Sequence, residues 1–182
     1  PKSVNRKIIA INEYVSFHNL PFSISQIKIH EQNFLDNVIT SNETNLLMKC
    51  ADDHKDYRAK ALFATLVYTG MRISECLQLK VEDVYKDTIM IVGKGNKLRN
   101  VFIPKKLKSI WLEYCKYRIN KSDKLFTGQK GAINRYTAHK ILKKYSAICG
   151  IGDKVSHLHN FRHLYCKNLA SSSVNIETIA DL

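Results

Sequence analysis

The sequence predicts an α+β fold that is mainly α-helical and carries one small antiparallel sheet. Apolar residues recur at helical spacing through most of the 182-residue chain, whereas strand-like alternation is concentrated near residues 88–103. Apolar residue types make up 45% of the chain, well above the share found in disordered proteins. A chain of this length and composition is expected to bury a core of its own.

The first forty residues are expected to hold one helix followed by a linker. Apolar residues at helical spacing predict an amphipathic helix over about residues 4–18. Residues 19–40 show little helical period and contain Pro21, which is typical of a linker lying across a surface. A separate unit is expected to begin after this linker.

Two helices are predicted next, followed by a short third one. Thr40 with Glu43 three residues later forms a capping-box pattern at the start of the first helix. Asp56 opens a strongly apolar second helix, and Gly70 is expected to end it. The apolar spacing after this break predicts a short helix over Ile73–Lys80.

The predicted sheet is a β-hairpin in the middle of the chain. Thr88–Val92 and Asn100–Ile103 alternate as strands do, and the glycine-containing segment Gly93–Lys97 joins them. The remaining elements are a short extended piece at residues 125–128 and helices near residues 107–115, 138–148, 159–170 and 175–182.

The positive charge of the chain is concentrated in one third of its length. The net charge is +13, and residues 91–150 alone hold 15 Lys and Arg against Glu113 and Asp123. A field of this strength attracts phosphate backbones, so nucleic acid is the favoured partner. An anionic membrane surface and a basic surface kept for solubility are the weaker alternatives.

Cysteine spacing and hydropathy indicate a soluble protein of a reducing cytoplasm. The five cysteines are an odd number, and their spacing fits neither a disulfide framework nor a zinc site. No apolar run is long enough to span a membrane, and no signal-peptide core follows the first residues.

Several basic residues suit a site that handles a phosphodiester. Such a site needs planar donors for the non-bridging oxygens and an acid for the leaving oxygen. Arg72 follows the Gly70 break, where Glu75 three residues later can hold its side chain. His159 and Arg162 share a helix face three residues apart, and Lys94 between two glycines can serve as a general acid.

Each of these groups also has an ordinary structural explanation. Arg72 is as well explained by a surface ion pair, and Lys94 by a plain turn. His159 can belong to a capped helix start or, with His157 and His163, to a metal site. The metal alternative is disfavoured because residues two apart do not share a helix face and no carboxylate stands at ligand spacing.

The acidic residues do not point to a metal-dependent nuclease. Such an enzyme gathers several carboxylates at one site, and the dense acidic group here is Asp52, Asp53 and Asp56. These residues precede a predicted helix whose N-terminal dipole favours anions, which explains them without chemistry. The sequence therefore favours a metal-free mechanism that relies on cationic side chains and needs no cofactor.

Three sequence blocks, in this order and spacing, resemble the tyrosine recombinases, the family of phage and transposon integrases. The blocks are Tyr68-Thr69-Gly70-Met71-Arg72-Ile73-Ser74-Glu75, then Gly93-Lys94-Gly95-Asn96-Lys97, then His159-Asn160-Phe161-Arg162-His163. The resemblance covers about residues 41–182. It implies a mainly helical catalytic domain with a small antiparallel sheet. It also implies a metal-independent enzyme that cuts one DNA strand through a 3′-phosphotyrosine.

The resemblance assigns roles to the residues already singled out. Arg72 corresponds to the first phosphate-binding arginine, with Glu75 as its support. Lys94 corresponds to the acid on the hairpin, and His159 with Arg162 to the second phosphate-binding pair. The residues expected to contact DNA are Lys97, Arg99, Arg135, Lys140, Lys143 and Lys144.

The resemblance also bears on domains and partners. Residues 1–20 resemble the last helix of a core-binding domain that is otherwise missing, and residues 21–40 its linker. Residues 41–182 resemble a catalytic domain without its C-terminal segment. Double-stranded DNA is the expected partner, within a DNA-bound homotetramer of the complete protein, and no membrane is involved.

The tyrosine nucleophile is not expected within this chain. In the family it follows a Leu-Gly-His stretch beyond the position of Ile179-Ala180-Asp181-Leu182. Tyr165 lies three residues after Arg162, which is not the nucleophile position, and is expected to pack against neighbouring residues. The 182-residue chain alone is therefore expected to be inactive. The alternative function is a non-catalytic DNA-binding or regulatory module of the same fold, and type IB topoisomerases use similar chemistry.

Overall fold

The computed structural model describes residues 2–28, 37–92, 98–119 and 122–172. The chain forms two compact units, residues 1–36 and residues 37–182. Helices dominate the second unit, which also contains a small antiparallel sheet, so the predicted fold class is confirmed. The helix predicted over residues 175–182 lies outside the described residues.

The N-terminal unit contains helix α1, Lys2–Phe17, and an extended segment after it. Asn5 and Asn12 lie seven residues apart and therefore on the same side of α1. The amide of Asn12 bonds both the N–H and the carbonyl of Ile24, at 2.8 and 2.9 Å. Asn5 bonds both backbone groups of Ile27 at 2.9 Å. The segment predicted as a linker is thus held along α1 by two asparagine side chains.

The second unit is built from helices that surround one central, buried helix, Tyr57–Thr69. Its helices are α2, Ser41–Asp53; α3, Tyr57–Thr69; α4, Ile73–Cys76; a 3-10 helix, Val81–Tyr85; α5, Lys105–Lys116; α6, Arg135–Ile148; and α7, Leu158–Ser171. Its strands are β1, Thr88–Val92, β2, Leu98–Phe102, β3, Thr127–Gly128, and β4, Gly131–Ala132.

The helix ends predicted from capping residues are where the sequence places them. The Thr40 hydroxyl accepts from the Glu43 N–H, and the Glu43 carboxylate accepts from the Thr40 N–H, which completes a capping box. The Asp56 carboxylate accepts from the Ala59 N–H at 3.0 Å and opens α3. Gly70 ends α3 with a left-handed backbone, φ +59°.

Helix α3 lies at the centre of the core and is buried along most of its length. It packs against α2, α5, α6 and α7. The buried indole of Trp111 donates to the Thr65 hydroxyl at 2.8 Å, which joins α5 to α3. Phe63 lies 6.0 Å from Phe161 of α7 and 5.9 Å from Tyr145 of α6, ring centre to ring centre. Three helices are thereby fixed around α3.

Strands β1 and β2 form an antiparallel pair in which Ile89 faces Val101 and Val92 faces Leu98. Ile89, Ile91 and Val101 are buried, because alternate side chains of the pair point towards the core. The predicted second strand is confirmed, although it begins at Leu98, two residues earlier than the alternation indicated.

Three local features differ from the sequence predictions. The short helix after Arg72 ends at Cys76 and does not continue to Lys80. Tertiary pairing explains this, because Lys80 is extended and bridges Lys124. The Val81 N–H donates to the Asp123 carbonyl at 2.9 Å, and the Leu79 carbonyl accepts from the Leu125 N–H at 2.7 Å. The extended piece predicted at residues 125–128 contains β3. The 3-10 helix and the pairing of β3 with β4 were not predicted, since elements this short have too few residues to show a period. Within the described ranges, no helix is long and apolar enough to cross a membrane.

Candidate phosphate-binding site

The candidate site begins where α3 ends. Gly70 turns the chain out of the helix, and Arg72 then precedes the first residue of α4. The Glu75 carboxylate accepts from the Arg72 backbone N–H at 2.8 Å and from Arg72 Nη1 at 2.9 Å. The same carboxylate therefore fixes both the main chain and the guanidinium of Arg72, in the pairing that the sequence predicted.

Glu75 also binds a second arginine. Its Oε2 accepts from Arg99 Nη2 at 2.8 Å, and the two side chains are only 8% and 11% exposed. Sequence analysis predicted Arg99 as a DNA contact. The structure places its guanidinium against Glu75, with a buried Nε that has no hydrogen-bond partner among the described residues. The strand β2 thus contributes a second arginine beside Arg72.

Helix α7 brings a third arginine to the same place. Arg162 Nη1 donates to the Gly70 carbonyl at 2.8 Å, which anchors α7 to the turn that precedes Arg72. Tyr165, one turn further along α7, packs its ring against Gly70. A Cβ at Gly70 would fall 2.3 Å from Cδ1 of the Tyr165 ring, so this close approach requires glycine.

The three guanidiniums act on one another electrostatically. Burial lowers the pKa of Arg162, and the charges of Arg72 and Arg99 lower it further. The pKa of Arg99 is also lowered, first by burial and then by Arg72, while Glu75 opposes this. One carboxylate thus offsets part of a cluster of three cations, which leaves a strong attraction for an anion.

His159 lies on α7 three residues before Arg162. Its ring meets that of His163 edge to face, with centres 4.5 Å apart. Burial lowers the pKa of His159, and the charges of His163, Arg162, Arg72 and Arg135 lower it further. The lowered pKa favours the neutral imidazole of His159, which presents one N–H donor and one acceptor nitrogen.

Four of the predicted DNA contacts lie on helix α6. Arg135 begins α6, and Lys140 lies over the ring of Tyr136, 4.6 Å from its centre. Lys144 is exposed, whereas Lys143 forms an ion pair with Asp153 at 2.7 Å. The hairpin residues Lys94 and Lys97 lie outside the described residues.

Two of the three acidic residues near the start of α3 have structural partners. Asp52 pairs with Lys60 at 2.8 Å, and Asp56 caps α3 while accepting from the Tyr145 hydroxyl at 3.1 Å. Among the described residues, no three His, Cys, Asp or Glu side chains are grouped as a metal site requires. The local sequence signals thus located Arg72, Glu75, His159 and Arg162. They did not indicate the Arg99–Glu75 ion pair or that Gly70 is the residue on which Tyr165 packs, because both contacts join elements distant in sequence.

A model of the phage integrase family matches residues 37–182 of the chain. A tyrosine recombinase of Pseudothermotoga lettingae is 30% identical over 131 residues, covering 70% of this chain and 46% of that protein. The XerA tyrosine recombinase of Pyrococcus horikoshii is 29% identical over 189 residues, covering 100% of this chain and 64% of its own. The chain thus spans about half to two thirds of the length of these relatives.

Solved structures show the same fold at lower sequence identity. The crystal structure of XerA recombinase superposes with a TM-score of 0.70 at 20% identity, covering 96% of this chain and 63% of that one. The XerH site-specific recombinase, bound to its difH substrate in a pre-cleavage complex, gives 0.72 at 23% identity, covering 99% and 57%. The Tn1549 transposon integrase in complex with circular intermediate DNA gives 0.69 at 16% identity, covering 98% and 69%.

Proposed function

The chain belongs to the tyrosine recombinase family, the phage integrases, and on that premise we propose that it acts in site-specific DNA recombination. The proposed reaction cleaves and rejoins strands of double-stranded DNA through a 3′-phosphotyrosine intermediate, without a metal or another cofactor. The observation that carries the proposal is the cluster in which Glu75 braces Arg72 beside Arg99, Arg162 and His159.

The cluster suits a phosphodiester because its donors are planar, cationic and partly withdrawn from water. Guanidinium groups bind two phosphate oxygens at once, so Arg72 and Arg162 are proposed to hold the non-bridging oxygens. Negative charge on these oxygens increases as the phosphorane forms, and donors already in position stabilise it without reorganising. Neutral His159 is proposed to supply a further hydrogen bond to the same group.

Protonation of the leaving oxygen is assigned to a lysine of the hairpin. Lys94 is proposed to protonate the departing 5′-oxygen as the tyrosine attacks phosphorus, and it takes a proton back when the strand is rejoined. This assignment rests on the Gly93-Lys94-Gly95 sequence in its position between Arg72 and His159.

The nucleophile is proposed to come from outside residues 1–182. Tyr165 is the tyrosine next to the cluster, but its ring packs on Gly70 and burial raises the pKa of its hydroxyl. Tyr114 and Tyr145 are buried in the core, where their hydroxyls bond Thr127 N–H and Asp56. None of these three side chains is free to attack a phosphodiester.

DNA is proposed to contact the basic third of the chain. The proposed contacts are Lys97, Arg99, Arg135, Lys140, Lys143 and Lys144. The charge of Arg135 acts on His159, which supports a DNA-binding surface that runs from α6 to the arginine cluster. The complete protein is proposed to work in the cytoplasm as a DNA-bound tetramer, with no membrane partner.

The deciding experiment is a cleavage assay on a duplex carrying a recombination site, with a tyrosine-bearing segment supplied to the protein. The parent protein is expected to form a denaturant-resistant protein–DNA adduct. Arg72→Ala removes one transition-state donor, so adduct formation should slow by ~10²–10³, far more than the loss of a single phosphate contact weakens DNA binding. Cleavage by Arg72→Ala at the parent rate would refute the assignment.

The same assay separates the enzyme from a non-catalytic DNA-binding module of the same fold. The module is favoured by the absence of a free nucleophile among the tyrosines of the described cluster and core. It would bind DNA and give no adduct even when a tyrosine-bearing segment is supplied. Adduct formation by the parent protein, lost in Arg72→Ala, would exclude it.

A further inference from the structure

Two cysteines meet at the contact between α2 and α6, away from the arginine cluster. Cys50 lies on α2, Cys149 is the C-cap of α6, and both are half-buried. The Cys149 thiol lies 3.9 Å from the carbonyl oxygen of Leu46, which is one turn before Cys50 on the same face of α2. In an α-helix the Leu46 carbonyl oxygen faces the N–H of Cys50, so the Cys149 thiol lies beside the Cys50 backbone. Burial and then the neighbouring Cys50 thiol raise the pKa of Cys149. The helices thus bring together two cysteines that are 99 residues apart in the chain.

A histidine stands beside one of the two thiols. His54 Nδ1 lies 2.7 Å from the carbonyl oxygen of Cys50 and 3.7 Å from its Sγ. An N–H at Nδ1 therefore points towards the carbonyl oxygen, with the sulfur of Cys50 close by. The contact recorded for the Cys149 thiol among the described residues is a backbone carbonyl oxygen, that of Leu46.

We propose that Cys50 and Cys149 form a reversible disulfide between α2 and α6 when the protein meets a thiol-oxidising disulfide such as oxidised glutathione. The proposal does not depend on DNA recombination. The other cysteines lie elsewhere in the fold: Cys76 is buried in α4, Cys115 is on α5 and Cys166 is on α7. A reducing compartment keeps both thiols free, so the bond forms under oxidising conditions.

The reaction proceeds by two thiol–disulfide exchanges. The Cys50 thiolate attacks one sulfur of oxidised glutathione, the glutathione disulfide breaks, and one glutathione thiolate leaves. Cys149 then loses its proton and attacks the Cys50 sulfur, which expels the second glutathione thiolate. Two protein thiols are oxidised and one glutathione disulfide is reduced. Burial raises the pKa of Cys149 to about 11, so Cys50 is the first to react.

The test exposes the purified chain to oxidised glutathione and follows it by intact mass and peptide mapping. The expected product is a monomer lighter by two hydrogens, in which the Cys50 and Cys149 peptides are linked, and dithiothreitol restores the original mass. The bond closes a long loop and restricts the unfolded chain, so the oxidised protein should melt several degrees higher.

Two variants test the order of the steps. Cys149→Ser should accumulate a mixed disulfide that adds one glutathione at Cys50, because no resolving thiol remains. Cys50→Ser should gain glutathione at Cys149 much more slowly. Cys115→Ser is the matched control, since it removes a half-buried cysteine of another helix and should form the same crosslink as the parent.

Three outcomes would overturn the proposal. They are a crosslink between any other pair of cysteines, a disulfide between two molecules in place of the internal one, and a parent protein that keeps both thiols under conditions that oxidise a model dithiol. A Cys115→Ser variant that failed to crosslink would count equally against it.

Discussion

At the scale of single residues, the site depends on how one carboxylate is shared. Glu75 accepts hydrogen bonds from the guanidiniums of Arg72 and Arg99 and is itself nearly buried. A buried charge is tolerated when it is paired and hydrogen-bonded, whereas removing one partner leaves the others uncompensated. Glu75 is therefore predicted to stabilise the fold as well as to orient Arg72.

Replacing Glu75 by alanine is expected to lower the free energy of unfolding by about 3 kcal/mol, because Arg99 keeps its charge in a largely buried position. Urea denaturation measures this change. Glu82→Ala is the control: Glu82 is 64% exposed and lies 3.6 Å from Lys86. Its loss should change stability by about 0.5 kcal/mol or less. Equal effects of the two substitutions would contradict the role given to Glu75.

Acidification is expected to act on the fold through His159. Its pKa in the folded protein lies below the ordinary value of 6.5, so the unfolded chain takes up the proton first as the pH falls. The free energy of unfolding should therefore decrease as the pH drops below 6.5 towards the folded pKa. Urea unfolding of the parent and of His159→Asn across this interval isolates the effect. The parent should lose more stability than the variant, and parallel curves would contradict the assignment.

At the scale of elements, the site forms where the end of α3 packs against one face of α7. Arg162 bonds the Gly70 carbonyl, and Tyr165 covers the Gly70 Cα from one turn further along α7. The two contacts fix the spacing between the helix that precedes Arg72 and the helix that carries Arg162. A side chain at position 70 would separate them.

Gly70→Ala is therefore expected to be unusually destabilising. Its backbone has φ +59°, and the new Cβ would meet the Tyr165 ring. We expect a loss of roughly 2–5 kcal/mol, the sum of a left-handed alanine and an overpacked contact. Gly150→Ala is a matched control, since φ is +67° and nothing lies within 4 Å of its Cβ position. It should lose roughly 1–2 kcal/mol in thermal or urea unfolding.

The Tyr165 contribution can be separated by repeating the change in a Tyr165→Ala background. The added loss caused by Gly70→Ala should then fall to the level seen for Gly150→Ala. A loss that stayed as large would show that the ring does not cause it.

The elements also show what the sequence could and could not predict. Helix ends were predicted well where one side chain caps them, as with Thr40 and Asp56, because that information is local. The end of α4 was predicted wrongly, because Lys80 is extended and pairs with Lys124, which is distant in sequence. The Arg99–Glu75 ion pair was not indicated for the same reason, since the two residues are 24 positions apart in the chain.

At the scale of the whole molecule, the basic charge and the arginine cluster both favour the proposed partner, DNA. The basic excess of residues 91–150 spreads over β2, α5 and α6, while the arginine cluster joins α3, β2 and α7. The motif residues alone predicted the family, which the family match confirms. The packing that gathers three guanidiniums around one carboxylate emerged only in three dimensions.

The most direct test of the central claim is the salt dependence of binding to duplex DNA, measured for the parent, Arg162→Gln and Lys167→Gln. With ~5 phosphates neutralised, the parent should show a log–log slope of about −4 to −5. Lys167 is an exposed lysine of the same helix α7, so its substitution removes the same charge outside the cluster. The account predicts a slope smaller by about one for Arg162→Gln and an unchanged slope for Lys167→Gln. A folded Arg162→Gln protein with the parent slope would contradict it.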